Sequence, residues 1–324
     1  MDVSDMNMFF ENPHAEMKNG FLVTDDMKNN KNYNGTTAKF GITVNNVDYI
    51  VKFAKDNELT CYTEYIASRL LQGLAINAHT VYLGKYLRDD QCEVVSILED
   101  FTAGKYELHS YKSTRQSSED TEVTTKEYTY DDIIYMIDKH IKLSESEKKE
   151  CLHQFWAMYI ADAIIGNRDR HWGNWGYLID KYGNYSVAPI YDNGSSLFPG
   201  VFRMIDNFPS IEFIRDRVYV FPASVLKVQR EDRAYRTNYY DIIQHAKWIG
   251  LQQAIKDLTD KYTWQDIFEL AFVIINPIDI DPRIKEFWVE IICFRYRCII
   301  CNEELDSIYN EVINYYGKVC KERF

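Results

Sequence analysis

Ile165 to Gly176 reads I-G-N-R-D-R-H-W-G-N-W-G, and few folds can place such a run. One Asp, one His, two Arg, two Asn and two Trp are set among three glycines. Upstream, Leu152, Phe155, Trp156, Tyr159, Ile160, Ala163 and Ile164 recur at i, i+3/i+4 spacing, which predicts a helix over Ser146–Ile165 with one face buried. Downstream, Gly176–Asp180 and Tyr185–Ile190 flank Lys181–Asn184, the pattern of a hairpin. A polar loop held between a buried helix and a hairpin is fixed at both ends, and its glycines permit tight backbone turns.

The chain before that loop reads as a small β-rich unit. Residues 1–33 are polar and Asn/Lys/Asp-rich, with a short apolar piece at Phe21–Val23, and are expected to be loosely ordered. Lys39–Val44 and Val47–Phe53 flank Asn45-Asn46, a pair able to adopt φ > 0, so a β-hairpin is expected. Thr63–Leu74 carries a helical stripe, and Val81–Tyr86 and Glu93–Leu98 read as strands turning at Asp89-Asp90. After Glu99-Asp100-Phe101 the pattern turns helical. Residues 113–127 form a solvated loop almost without apolar side chains, and Tyr130–His140 is a helix. From Ile242 the chain is mostly helical, with Arg283 to Lys318 nearly unbroken. The fold class is therefore α+β, two-lobed, with a small β-rich lobe at 1–101 and a larger helical lobe at 102–324.

Composition narrows the function. A formal net charge of −12 over 324 residues argues against nucleic-acid or anionic-membrane binding, and weakly favours a basic protein partner. No run of about 18 apolar residues and no signal peptide occur, so no membrane role and a cytoplasmic chain are expected, with export by a non-classical route left open. Seven scattered cysteines suit a reducing compartment. Cys298 and Cys301 form a CxxC without a second pair at zinc spacing, and read as core packing rather than a metal site. A monomer is favoured.

Asp169 and Asn174 have the D-x-x-x-x-N spacing of a protein-kinase catalytic loop, in which the Asp accepts the proton of the acceptor hydroxyl and the Asn binds metal. Asp192, in Y-D-N-G after the hairpin, stands where a second metal-binding Asp belongs, and these oxygen donors suit Mg²⁺. Val51-Lys52-Phe53 ends a strand with a lysine placed to grip phosphates, and Glu64 on the next helix is its ion-pair partner. Gly35, Thr36, Thr37 and Lys39 belong to a phosphate-covering loop, and Glu99, Asp100 and Phe101 to a hinge that would bond adenine through its backbone. Each part has a bland alternative. A strand-end lysine is commonly a surface residue, Asp169, Arg170 and His171 make a plausible ion-pair cluster, and His171 has no second His to share a metal. The order of all the parts along the chain favours ATP- and Mg²⁺-dependent phosphotransfer, with Asp169 and Lys52 catalytic.

These residues resemble the HipA-like serine/threonine kinases over roughly 34–200. G-N-R-D-R-H-W-G-N-W-G is similar to that family's G-N-x-D-R-H-x-x-N, and A-P-I-Y-D-N-G to its A-P-x-x-D, whereas the first-lobe matches are looser. The resemblance implies a kinase-like fold, Asp169 as base, Asn174 and Asp192 on Mg²⁺, and Lys52 on the phosphates. It also implies a protein substrate that includes the chain itself. Thr36 or Thr37 would be the acceptor, because this loop lacks the family's usual Ser. The chain shows no clear extra N-terminal subdomain of the antitoxin-paired members, so a DNA-bound role is not expected. A small-molecule phosphotransferase and a nucleotide-binding module without activity remain as alternatives on the same fold.

Overall fold

Asn45 and Asn46 both adopt positive φ (50° and 63°), and this primed turn joins β2 (Lys39–Val44) to β3 (Val47–Lys52). Asp89 and Asp90 repeat the device (49° and 62°) between β4 (Val81–Arg88) and β5 (Gln91–Glu99), both longer than the apolar pattern alone suggests. The computed structural model describes residues 18–33, 37–54, 59–113, 128–139, 143–200, 210–230 and 233–323. Gly35, Thr36 and all of the expected 113–127 loop beyond its first residue lie outside them.

Strand alternation gives the five-stranded sheet, ordered β1-β4-β5-β3-β2, two different faces. Ile42, Tyr49, Val51, Tyr86, Val95 and Ile97 make a small core on one face. On the other, Ile50, Val81, Leu83 and Leu98 join Ile66, Leu70 and Leu71 of helix α1 (Leu59–Gly73) in the main core. Lys52 follows Val51, so it projects on the helix side. That parity brings it to Glu64.

Three expectations need correction, and one hairpin had no expectation. Phe21–Val23 is not loose: it is strand β1, paired parallel to β4 through Phe21↔Gly84 and Val23↔Tyr86. Three residues are too few to show a period. The stretch after Phe101 is not helical but turns into β6 (Tyr106–Ser110), paired with β7 (Gly176–Asp180) far along the chain. β8 (Tyr185–Val187) completes that three-stranded sheet. A further hairpin, β9 (Ala223–Arg230) with β10 (Arg233–Asn238), was not expected at all. Finally, Arg283–Lys318 is two helices, α8 (Pro282–Arg295) and α9 (Leu305–Arg323), separated by a π-helical turn at Tyr296–Ile300 and by Asn302 at φ 57°. Arg297 closes this break by pairing with both Glu303 and Glu311.

The other helices of the large lobe are α2 (Tyr130–Lys139), α3 (Glu145–Ile165), α4 (Ile211–Tyr219), α5 (Tyr239–His245), α6 (Ile249–Lys261) and α7 (Trp264–Ile275). Capping boxes start α3 (Ser144 with Glu147) and α7 (Thr263 with Asp266), and Pro282 opens α8 behind the N-cap Asp281. Cys298 is buried in the π-helical turn and Cys301 is exposed, both as free thiols. Among the described residues no helix is long and apolar enough to cross a membrane.

One carboxyl in this core is out of keeping with its surroundings. Glu290 of α8 is fully buried, and neither side-chain oxygen has a hydrogen-bond partner among the described residues. Burial, helped by nearby Glu286, pushes its carboxyl from 4.5 up to about 9. Between these values the folded chain holds a proton that the unfolded chain has released, so stability falls as pH rises. Denaturant unfolding should therefore show the parent protein losing about 1 kcal/mol per pH unit relative to Glu290→Gln over neutral pH. Parallel pH profiles for the two proteins would exclude it.

Candidate active site

Asp162 anchors the catalytic-loop candidate. It lies one turn before the end of α3 and is buried, and burial pushes its carboxyl up against the pull of Arg170. Arg170 returns to it bidentately, with Nε 2.9 Å from Oδ2 and an NH2 nitrogen 3.1 Å from Oδ1. The same guanidinium donates to the carbonyls of Asn174 (3.0 Å) and Tyr191 (2.5 Å) and to Asn193 Oδ1 (2.5 Å). One buried arginine thus ties the helix, the loop and the segment after the hairpin together. Gly166 ends α3 at φ 64°, and a Cβ there would lie 2.8 Å from the Phe198 ring, so this turn requires glycine.

Beyond Gly166 the loop holds itself by backbone contacts. Asn167 Oδ1 accepts from the Asp169 N–H (2.9 Å), and Asn174 Nδ2 donates to the Asp169 carbonyl (2.7 Å). Every hydrogen bond formed by Asp169 among the described residues runs through its backbone, and its side chain is exposed. The Gly173 N–H donates to His171 Nδ1 (3.0 Å), while Trp172 and Trp175 stack on Tyr111 at 5.4 and 4.2 Å. His171 thus braces its own turn, and the tryptophans pack into the aromatic cluster around Tyr111.

Glu64 organises the other half. Its carboxylate meets Lys52 Nζ (3.1 Å) and accepts from the backbone N–H groups of Asn193 (2.7 Å) and Gly194 (3.0 Å). A Cβ on Gly194 would sit 3.0 Å from Glu64 Oε2, so a larger residue would press on the carboxylate. His79 Nε2 is 3.2 Å from Glu64 Oε1, close enough for an ion pair but off line for a hydrogen bond. Burial pushes the Glu64 carboxyl up, but Lys52 and His79 outweigh it and hold it well below the usual range. Lys52 also touches Asp192 Oδ1 at 2.5 Å, and Asp192 takes φ 60°. Burial opposes the Lys52 charge, yet Glu64 and Asp192 raise its pKa above the ordinary value. Lys39 pairs across the strands with Lys52, and burial together with the Lys52 charge lowers its pKa.

The structure brings Lys39, Lys52, Glu64 and Asp192 together and holds Asp169 and Asn174 on one loop. At the hinge, the Asp100 side chain accepts from Thr102 (N–H at 3.0 Å) and Tyr33 (hydroxyl at 3.0 Å). Its N–H donates to Asp48 and its carbonyl accepts from Ala103, so Asp100 is committed to the turn. Glu99 ends β5, and the Phe101 ring lies 5.9 Å from Tyr191. Thr37 lies just before β2; Gly35 and Thr36 lie outside the described residues. Sequence reasoning missed Asp162, His79, Tyr191 and Asn193. Only Asp162 had a signal, as a lone acid in the apolar run M-Y-I-A-D-A-I-I.

A metal here would need hard oxygen donors. Among the described residues no three His, Cys, Asp or Glu converge into a cage. With Asn174 Nδ2 donating to a carbonyl, its amide oxygen is left to offer, and Asp192 keeps Oδ2 while Oδ1 meets Lys52. Two such oxygens suit Mg²⁺, which keeps waters and phosphate oxygens as its other ligands.

A β-rich lobe and a helical lobe, with a half-buried Lys52 paired to buried Glu64 in one and facing Asp192 of the other, define the kinase-like fold. The chain belongs to the HipA-like C-terminal domain family, which matches residues 32–204. It is 32% identical over 225 residues to the serine/threonine-protein kinase CtkA of Helicobacter pylori, a match spanning 66% of each chain, just under two thirds of that relative's length. The crystal structure of the Helicobacter pylori proinflammatory kinase CtkA superposes with a TM-score of 0.69 at 28% identity, covering 86% of this chain and 95% of that one.

Proposed function

We propose that the protein is an ATP- and Mg²⁺-dependent protein serine/threonine kinase able to phosphorylate itself. The observation that carries this reading is Lys52 held at once by Glu64 and Asp192, 140 positions apart in the second pair. That contact supports reading Lys52 as the ammonium that grips phosphate and Asp192 as the carboxylate that binds metal beside it. In the proposed roles Lys39 and Lys52 hold phosphate oxygens, Thr37 belongs to the covering loop, and the Glu99 carbonyl and the Phe101 backbone offer hinge groups to adenine, the Glu99 N–H being taken by the Thr80 carbonyl. Asn174 and Asp192 would hold Mg²⁺, which when bound neutralises charge on the β- and γ-oxygens. Asp169 takes the proton from a serine or threonine hydroxyl as its oxygen bonds to the γ-phosphorus and the bond to the β,γ-bridging oxygen breaks. Lys52 remains on the departing ADP. A boundary between lobes at Phe101 belongs to the same proposal.

Intact-mass measurement after incubation with ATP and Mg²⁺ tests it. The expected result is a gain of one or more phosphoryl groups that disappears when Mg²⁺ is chelated. An added AMP group, or no gain on the protein or on a serine peptide, would overturn it.

A further inference from the structure

A cavity of about 380 Å³ opens between the start of α2, strand β9 and helix α5, outside the nucleotide cleft. That volume is enough for one large side chain and falls within the range of small ligand sites. Its aromatic wall is Tyr130 with Trp248, ring centroids 4.7 Å apart and tilted 35°, and Tyr130 is backed by buried Trp156 at 5.1 Å. Asp131, exposed on the first turn of α2, and Asp241 of α5 add two carboxylates, while Lys227 is the one lysine or arginine and His245 the one histidine among the described lining residues. Asp241 Oδ2 is taken up by Thr237 and Asn238, which leaves Oδ1. Aromatic faces beside carboxylates favour a cation on an apolar stem.

The cavity is joined to the catalytic loop on two sides. The Lys227 N–H donates to the Tyr128 carbonyl, and the Tyr128 ring lies 4.5 Å from Trp172, three positions from Asp169. Tyr239, which begins α5, donates its hydroxyl to the Asn167 carbonyl (2.8 Å). Asp131 is three residues from Tyr128, at most about 11 Å along the chain. Summed along these contacts the cavity lies within about 35 Å of Asp169, which an extended acceptor segment at about 3.3 Å per residue spans in about ten residues or fewer. The chain's net charge of −12 adds long-range attraction for a basic segment.

We infer that this cavity takes an arginine or lysine side chain of the protein substrate, within about ten residues of the phosphoacceptor, and so selects basic acceptor segments. The inference rests on the protein-kinase reading above. The partner's guanidinium or ammonium meets Asp131 and Asp241, and its stem lies along Tyr130 and Trp248.

The test uses the full chain and two serine peptides that differ only in arginine against citrulline, which keeps the shape and removes the charge. Calorimetric binding and steady-state kinetics are measured for the parent, Asp131→Asn and Asp138→Asn. Asp138 is exposed on the same helix but does not line the cavity. The parent should prefer the arginine peptide about five-fold in Kd and KM, with kcat unchanged. Asp131→Asn, which leaves only Asp241, should lose most of the preference, and Asp138→Asn should retain it. Equal affinity for the two peptides in the parent, or equal loss in both variants, overturns the docking inference. If neither peptide gains phosphate, the kinase reading fails separately, while calorimetry still decides whether the cavity prefers the cation.

Discussion

Asp169→Asn should lower phosphate transfer by about 10²–10⁴-fold, the usual loss when a general base is removed. The substitution is well suited to the question, because Asp169 holds the loop through its N–H and carbonyl while its carboxylate stands exposed. Asn keeps both backbone contacts and the side-chain shape. Melting temperature and nucleotide affinity should therefore match the parent, and only the rate should fall. Radiolabel transfer from ATP, measured alongside thermal shift with Mg²⁺ and nucleotide, separates these quantities. Transfer at the parental rate would remove Asp169 from its role, and a lowered melting temperature would assign it a structural one.

The residues that sequence could place are those whose neighbours along the chain announce them. The Asn45-Asn46 and Asp89-Asp90 turns followed from side chains that tolerate positive φ, and α3 from its apolar stripe. Lys52 and Glu64 could be nominated from their positions on a strand end and a helix. What sequence lacked was distance. β6 is a strand because β7, 66 residues or more away, supplies its partners, and nothing in Tyr106–Ser110 encodes that meeting. The β9–β10 hairpin escaped for a related reason: Gln229, Arg233 and Arg236 stand exposed and Lys227 and Thr237 half-buried, which weakens the apolar alternation. Within the site, the peptide N–H groups of Asn193 and Gly194 that hold Glu64 have no side-chain signature.

The strongest structural dependence falls on Arg170. Removing it as Arg170→Met leaves the Asp162 carboxylate buried, with only Asn167 among the described residues to donate to it, and also releases the carbonyls of Asn174 and Tyr191. Breaking a buried pair in this way should cost about 3–5 kcal/mol, measured by urea unfolding. Since each partner alone is the damage, Asp162→Asn combined with Arg170→Met should cost less than the two single losses added. The pH dependence gives an independent sign. Burial already pushes the Asp162 carboxyl up, and loss of the arginine removes the main force opposing that shift. In Arg170→Met the folded state should then hold a proton that the unfolded chain releases, so its deficit should grow as pH rises and shrink in acid. A deficit independent of pH would mean that the loop carbonyls, and not the buried carboxylate, are what Arg170 chiefly stabilises. Activity should fall in the single variant as well, because Asn174 and Tyr191 fix the loop and the segment that carries Asp192.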